Sequence, residues 1–217
     1  MLDSYEKLIP GYISKEDFFR FGLEQTLYIP DSNIKKGWDD LLKKIKGNKT
    51  LYIRGVKEAN QNHLFFDFNK MVFGNAHTTK DPSNSQSTTK IMDALSGYKK
   101  SKDLKNYQMS TIFGKSRNIF LFNAPWNLAY VPKIMEPFLS VDNNSELAKE
   151  FKALFLEQGK KKFKSYIKEY NELVTNRHFV QQREDYIEQM YDNAYLDHGV
   201  MTKFEDSLRE ELSPIEI

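Results

Sequence analysis

Apolar residues recur along this chain at two different periods, and the change between them divides it. From residue 145 the spacing is helical. Leu147, Phe151, Leu154 and Phe155, then Phe163, Ile167, Tyr170 and Leu173, return every three or four positions. Residues 179–191 predict a third helix and 201–212 a fourth, with Pro214 past its end. Earlier in the chain, Ser14 followed by Asp17 is a capping-box-like start for a helix. Leu27-Tyr28-Ile29 reads as a strand stopped by Pro30. Asp31 or Ser32 caps a helix over 34–46, where Trp38, Leu41, Leu42 and Ile45 share a face and Gly47 ends it.

The middle of the chain reads as strands. Residues 50–56 alternate, with Leu51 and Ile53 on one face and Tyr52 and Arg54 on the other. Residues 63–68 and 71–73 predict a hairpin turning at Asn69-Lys70. Residues 107–113 and 119–122 predict two more strands, joined through Gly114-Lys115-Ser116-Arg117. Between the hairpin and these strands lies a polar stretch, 74–90, followed by a short helix over 90–95 that Gly97 stops. A loop that long without apolar residues is usually functional or disordered. Strands grouped before helices argue for an α+β fold rather than an alternating parallel sheet. The expectation is one domain over 1–217, β-rich over 1–144 and helical over 145–217.

Composition narrows the classes. Apolar residues make up 40% and charged residues 29%, so a packed core is expected and general disorder is not. There is no cysteine, which removes disulfides, thiolate metal sites and cysteine nucleophiles together and fits a reducing cytosol. Net charge is +2 with pI near 8.5, below the value above 9 of a strongly basic nucleic-acid domain, so any DNA contact needs a local patch. Only six of the 32 basic residues are arginine, against a heavy lysine bias, and this singles out Arg54 and Arg117. No run approaches the roughly 18 to 20 apolar residues of a membrane span, and the first residues lack a signal-peptide pattern. A cytoplasmic protein without membrane attachment is expected.

Individual residues carry possible chemistry. His63, His77, His178 and His198 show no metal-ligand spacing, so no metal is expected. Gly114-Lys115-Ser116 lacks the first glycine of a P-loop, because position 109 is Met. It reads as a basic turn able to meet phosphate through Lys115 and Arg117. Lys70, hemmed by Phe65, Phe66, Phe68, Met71 and Phe73 in a tight turn, is a candidate amine of depressed pKa able to form a Schiff base, or else a solvated turn lysine. Asp197-His198 offers an acid–base pair, or simply a helix-ending histidine before Gly199. Asp103-Leu104-Lys105 and Glu150-Phe151-Lys152 have the short acidic-x-Lys pattern of a divalent-metal nuclease, a pattern that chance also supplies in a lysine-rich chain.

Two segments suggest a family: Phe73-Gly74-Asn75-Ala76-His77-Thr78-Thr79-Lys80 and Asn123-Ala124-Pro125-Trp126-Asn127-Leu128-Ala129-Tyr130-Val131-Pro132-Lys133. Over about a third of its length the chain resembles the HALFPIPE, or PabI-like, restriction DNA glycosylases. The resemblance implies a curved antiparallel sheet with flanking helices, a homodimer, and double-stranded DNA carrying a GTAC-type site as partner. It implies extrusion of adenine, hydrolysis of its N-glycosidic bond without metal or other cofactor, and abasic-site lyase cleavage. Lys70 would be the lyase amine, His198 with Asp197 the acid–base group, and Arg54, Arg117, Lys115 and His77 the DNA contacts. The family's His-x-x-Asp spacing is missing after His198, where Gly199, Val200 and Met201 follow; Asp197, Glu205 or Asp206 would substitute. A metal-dependent nuclease, a toxin-like RNA-acting enzyme, and a non-catalytic binding or assembly protein of a phage or mobile element are the alternatives.

Overall fold

The computed structural model describes residues 4–55, 59–140, 142–192 and 197–217, the side chains of residues 10 and 59–61 excepted. The chain opens with α1 (Tyr5–Gly11) and α2 (Lys15–Glu24). Ser14 caps α2 as its spacing predicts, its Oγ accepting from the Asp17 amide at 3.1 Å and donating to the Asp17 carboxylate at 2.7 Å. Then come β1 (Leu27–Tyr28), α3 (Asp31–Lys46) and β2 (Leu51–Ile53). Trp38, Leu41 and Ile45 of α3 are buried, and Gly47 closes the helix through its N–H to the Lys43 carbonyl. The N-cap of α3 is Pro30, which offers no side-chain cap, so neither Asp31 nor Ser32 holds that position.

The middle of the chain departs from its strand-like reading. Residues 63–73 are not a hairpin; they belong to α4 (Ala59–Phe73). Leu64, Phe65 and Phe68 are buried one helical turn apart, a spacing that a short aromatic run also shows as a strand. Packing decides between the two: Phe65 meets Phe204 edge-on at 5.0 Å, and Phe68 meets Tyr186 at 5.3 Å. The helix also has a topological role. β3 (Thr78–Lys80) pairs with β2 in parallel, Leu51 opposite Thr78, and a parallel pair needs a crossover, which α4 supplies. The predicted strand over 50–56 ends at Ile53, and position 56 lies outside the described residues. The stretch 74–90 is not one long loop; it holds β3 and the first turn of α5 (Gln86–Leu95).

α6 (Lys100–Asp103) leads to β4 (Tyr107–Thr111), which pairs antiparallel with β5 (Leu128–Pro132), Tyr107 opposite Pro132 and Thr111 opposite Leu128. β1 pairs with the other edge of β5, giving the order β1-β5-β4. All five residues of β5 are buried, because both of its faces are covered. The predicted strand over 119–122 is a series of turns instead. Its four residues are buried, and the Asn118 carbonyl accepts from the Leu121 and Phe122 amides in place of a strand partner. Two reasons favour turns: the run is apolar on every side, and a buried amide hub satisfies its backbone.

α7 (Glu136–Leu139) follows β5, and the last third is helical as its periodicity predicts: α8 (Glu146–Lys162), α9 (Lys164–Thr175), α10 (Arg177–Tyr191) and α11 (His198–Glu211). Phe151, Phe155, Ile167 and Tyr170 are buried, and Ser145 caps α8 through the Ala148 amide. The fold is α+β: a small antiparallel sheet with flanking helices and a helical C-terminal part. Helices also make up much of residues 1–144, which are therefore less β-rich than their sequence pattern suggests. Among the described residues, no helix is long and apolar enough to cross a membrane.

Candidate functional site

The basic turn 114–117 is bound inward. Gly114 and Lys115 both have positive φ, 62° and 52°, which carries the turn toward the end of α11. Lys115 Nζ donates to the carbonyls of Glu210 and Ser213, the latter at 3.0 Å, and so caps the C-terminal end of that helix. Burial lowers its pKa, against the pull of Glu211 and Glu210. Arg117 donates from Nε to Glu211 Oε1 at 3.2 Å and from its backbone N–H to Oε2 at 3.0 Å, and its guanidinium lies 5.2 Å from the Phe65 ring centre. Burial pushes the Glu211 carboxyl up, and Arg117 opposes that shift. The two cations expected to meet phosphate thus lock the sheet region to the C-terminal helix.

Lys70 is exposed on α4, while Phe65 and Phe68 of the same helix turn into the core. The tight turn on which its apolar enclosure depended is absent. His198 opens α11 and does not end a helix; its ring lies 5.5 Å from that of Tyr191. Asp197 is the N-cap of α11, its Oδ1 accepting from the Val200 amide at 3.1 Å, so this carboxylate serves helix backbone. His77 is exposed in the turn before β3. No hydrogen bond, ion pair or ring contact among the described residues joins Lys70, His198, Asp197, His77 and Arg54 to one another.

Arg54 lines a cavity. A cleft of about 650 Å³ runs beside β4, with Arg54, Asn84, Ser110, Thr111, Glu136 and Lys152 among its lining. Arg54 enters from the end of β2, its backbone N–H bonded to the Ser116 carbonyl at 2.9 Å. Asn84, at φ 60°, accepts the Gly55 amide through Oδ1 at 3.0 Å and is fixed there. The Gln108 side-chain amide faces both oxygens of Glu136 at 3.0 and 2.8 Å, and its hydrogen bonding is satisfied with the nitrogen assigned to that side as donor. Lys152 comes from α8 and donates to the Asn143 carbonyl at 2.8 Å. Phe122 and Phe155 form part of the apolar floor.

The wall of this cleft is preorganised by one buried side chain. Asn127 accepts the Phe113 amide through Oδ1 at 2.8 Å and donates through Nδ2 to the carbonyls of Leu121 at 2.9 Å and Gly114 at 3.4 Å. Its own carbonyl accepts the Ile112 amide at 2.9 Å. The segment between β4 and β5 is thereby folded over a single amide whose hydrogen-bonding groups are all used.

The family model described as Uncharacterised protein PM1201 matches residues 29–217. The chain belongs to the PM1201 family. It is 32% identical over 206 residues to the Uncharacterized protein PM1201 of Pasteurella multocida (strain Pm70), covering 94% of this chain and 92% of that one. No solved structure matches it. In this PM1201-family chain the cleft recruits Glu136, Gln108 and Ser110, which sequence reasoning passed over, together with Lys152. For Lys152 a signal existed in Glu150-Phe151-Lys152, but the helix splits that pattern. Glu150 pairs with Lys15 at 2.8 Å, while Lys152 lines the cleft. Asp103 of the other acidic-x-Lys pattern accepts the Lys99 amide at 2.7 Å and closes its own helical turn. Among the described residues, no group of three or more His, Asp or Glu is arranged to hold a metal ion.

Proposed function

We propose that this member of the PM1201 family is a DNA-acting enzyme of the restriction type, with the cleft beside β4 as its active site. One observation carries the reading: a carboxylate braced by an amide, an amine and an arginine, Glu136, Lys152 and Arg54, line one polar cleft with a preorganised wall. Arg54 suits bidentate contact to a phosphate or a guanine edge, and Ser110 and Thr111 add hydroxyls for the sugar–phosphate backbone. The chemistry implied by the resemblance, adenine release followed by abasic-site cleavage, needs a negative group near a developing sugar cation and an amine for the ring-opened aldehyde. Glu136 suits the first role and Lys152 the second, in place of Lys70. The Lys152 amine adds to C1′ of the aldehyde, water leaves as the Schiff base forms, and loss of the 2′ proton expels the 3′ phosphate. A cytoplasmic homodimer acting on duplex DNA completes the proposal.

The test incubates the protein with a GTAC-containing duplex in EDTA, followed by borohydride. Free adenine and a covalent protein–DNA adduct that Lys152→Ala abolishes and Lys70→Ala leaves intact are expected. Intact adenine and no adduct would overturn the glycosylase chemistry. The second carboxylate of the cleft, Asp142, favours one other reading, phosphodiester hydrolysis assisted by a divalent cation. Strand cleavage that requires magnesium and releases no adenine would select it.

A further inference from the structure

A second cavity, of about 400 Å³, lies between α3 and α5. That is within the range of about 300–1,000 Å³ seen for small-molecule sites and too small for a duplex. It shares the 82–86 segment with the cleft: Pro82 and Gln86 line the cavity and Asn84 lines the cleft. Its walls are apolar, with Leu41 from α3 facing Ile91 and Leu95 from α5.

Several polar groups of this cavity are unengaged. Asn123 is buried and donates through Nδ2 to the Tyr52 carbonyl at 2.6 Å, which leaves Oδ1 without a partner among the described residues. The Gln86 side-chain amide has no hydrogen bond among them either, although its backbone N–H is held by Asp81 at 2.9 Å. An alkyl ligand would offer these amide groups no partner. A heterocycle edge, presenting donors and acceptors together, would satisfy them. Two cations, Lys44 and Lys90, also line the cavity, with no hydrogen bond or ion pair from either amine among the described residues. The one acidic lining residue, Asp40, already has Lys43 at 3.9 Å.

We propose that this cavity binds a nucleoside monophosphate unit, its base between α3 and α5, its edge read by Asn123 and Gln86, and its phosphate held by Lys44 and Lys90. The inference goes beyond the cleft reading, because it uses none of Arg54, Glu136 and Lys152. The unit is a free nucleotide or one nucleotide of a strand.

Titration calorimetry of the full chain tests it with AMP, GMP, CMP and UMP, with the parent nucleosides, with inorganic phosphate and with a single-stranded pentanucleotide. At least one monophosphate should bind and lose ten-fold or more in affinity in the Lys44→Gln/Lys90→Gln double variant, while its nucleoside is unaffected by that change. Ala94→Trp, at an exposed helix position on the cavity wall, should abolish binding of both without lowering the unfolding midpoint. Tighter binding of the pentanucleotide assigns the site to a strand, and weaker binding to the free nucleotide. Binding of no monophosphate, phosphate binding as tightly as any nucleotide, or full affinity in both variants would overturn the proposal. Arg54→Ala/Lys152→Ala should keep nucleotide binding while losing DNA processing, so the two readings fail separately.

Discussion

Asn75 and Asp81 within residues 74–90 and Arg54 in the cleft beside β4 are all polar, yet the first two direct their side-chain polar groups to the protein and the third does not. In 74–90 the buried side chains of Asn75 and Asp81 bond to the protein itself. Asn75 donates to the carbonyls of Lys44, Ile45 and Lys49 at the end of α3 and accepts the His77 amide and the Thr78 hydroxyl. Asp81, fully buried, accepts the amides of Ser83, Gln86 and Ser87 and so builds the start of α5. Burial pushes its carboxyl up, but those hydrogen bonds outweigh burial and hold it below the usual carboxylate range. In the cleft, by contrast, Arg54 is exposed and its guanidinium has no partner among the described residues. A hydroxyl- and amide-rich sequence therefore marks a binding surface only where its partners lie outside the chain.

The largest test of this contrast is on the locked cations. Arg117→Ala removes the cation from the buried Glu211 and leaves it the backbone N–H of position 117, and removing one member of a buried ion pair costs about 3–5 kcal/mol. Urea unfolding should show a drop in stability of at least about 3 kcal/mol, on the scale of such pairs. A stability change below about 0.5 kcal/mol, the size of an ordinary surface substitution, would mean that Arg117 is free for a ligand after all. Asp81→Ala should cost about 2 kcal/mol, the upper end for a helix cap, measured by the same unfolding curve. The cleft pair reverses the pattern. Arg54→Ala/Lys152→Ala should change stability by about 1 kcal/mol or less, two surface-sized effects. It should weaken duplex DNA binding ten-fold or more. Log affinity should also fall less steeply with log salt, by about one unit for each DNA phosphate that the variant no longer neutralises.

The smallest effect is a slope. Burial raises the Glu211 carboxyl above its unfolded value, so the folded chain holds that proton more firmly. Its contribution to stability is then complete below the ordinary carboxylate range and is lost as pH rises through the raised value. Glu211→Gln should flatten this decline in unfolding free energy between the ordinary carboxylate range and the raised value. An unchanged slope would show that another group sets it.

The sequence was legible where one residue type has one physical role. Ser14 with Asp17, Gly47 after α3, and Phe151, Phe155, Phe163, Ile167 and Tyr170 took the places their chemistry predicts, while Leu154 of the same spacing is exposed. It was ambiguous over 63–73 and 119–122, where aromatic residues are dense enough to fit a strand, a helix or a buried turn. Arg54 was legible as a cation leaving a strand end, whereas Lys152 gave only a weak three-residue pattern, because its neighbours in the cleft are tens of positions away.

By itself the sequence determined the α+β class, the helical last third and the Ser14 and Gly47 ends of two helices, since these follow from local periodicity and from backbone groups within a few residues. Only the tertiary structure decided which polar side chains remain available. Lys115 and Arg117 face partners more than 90 positions away, and Asn75 faces the end of α3 about 30 positions earlier. Whether a side chain binds the protein or a ligand depends on what long-range packing brings within about 3 Å of it, and local pattern carries no record of that distance.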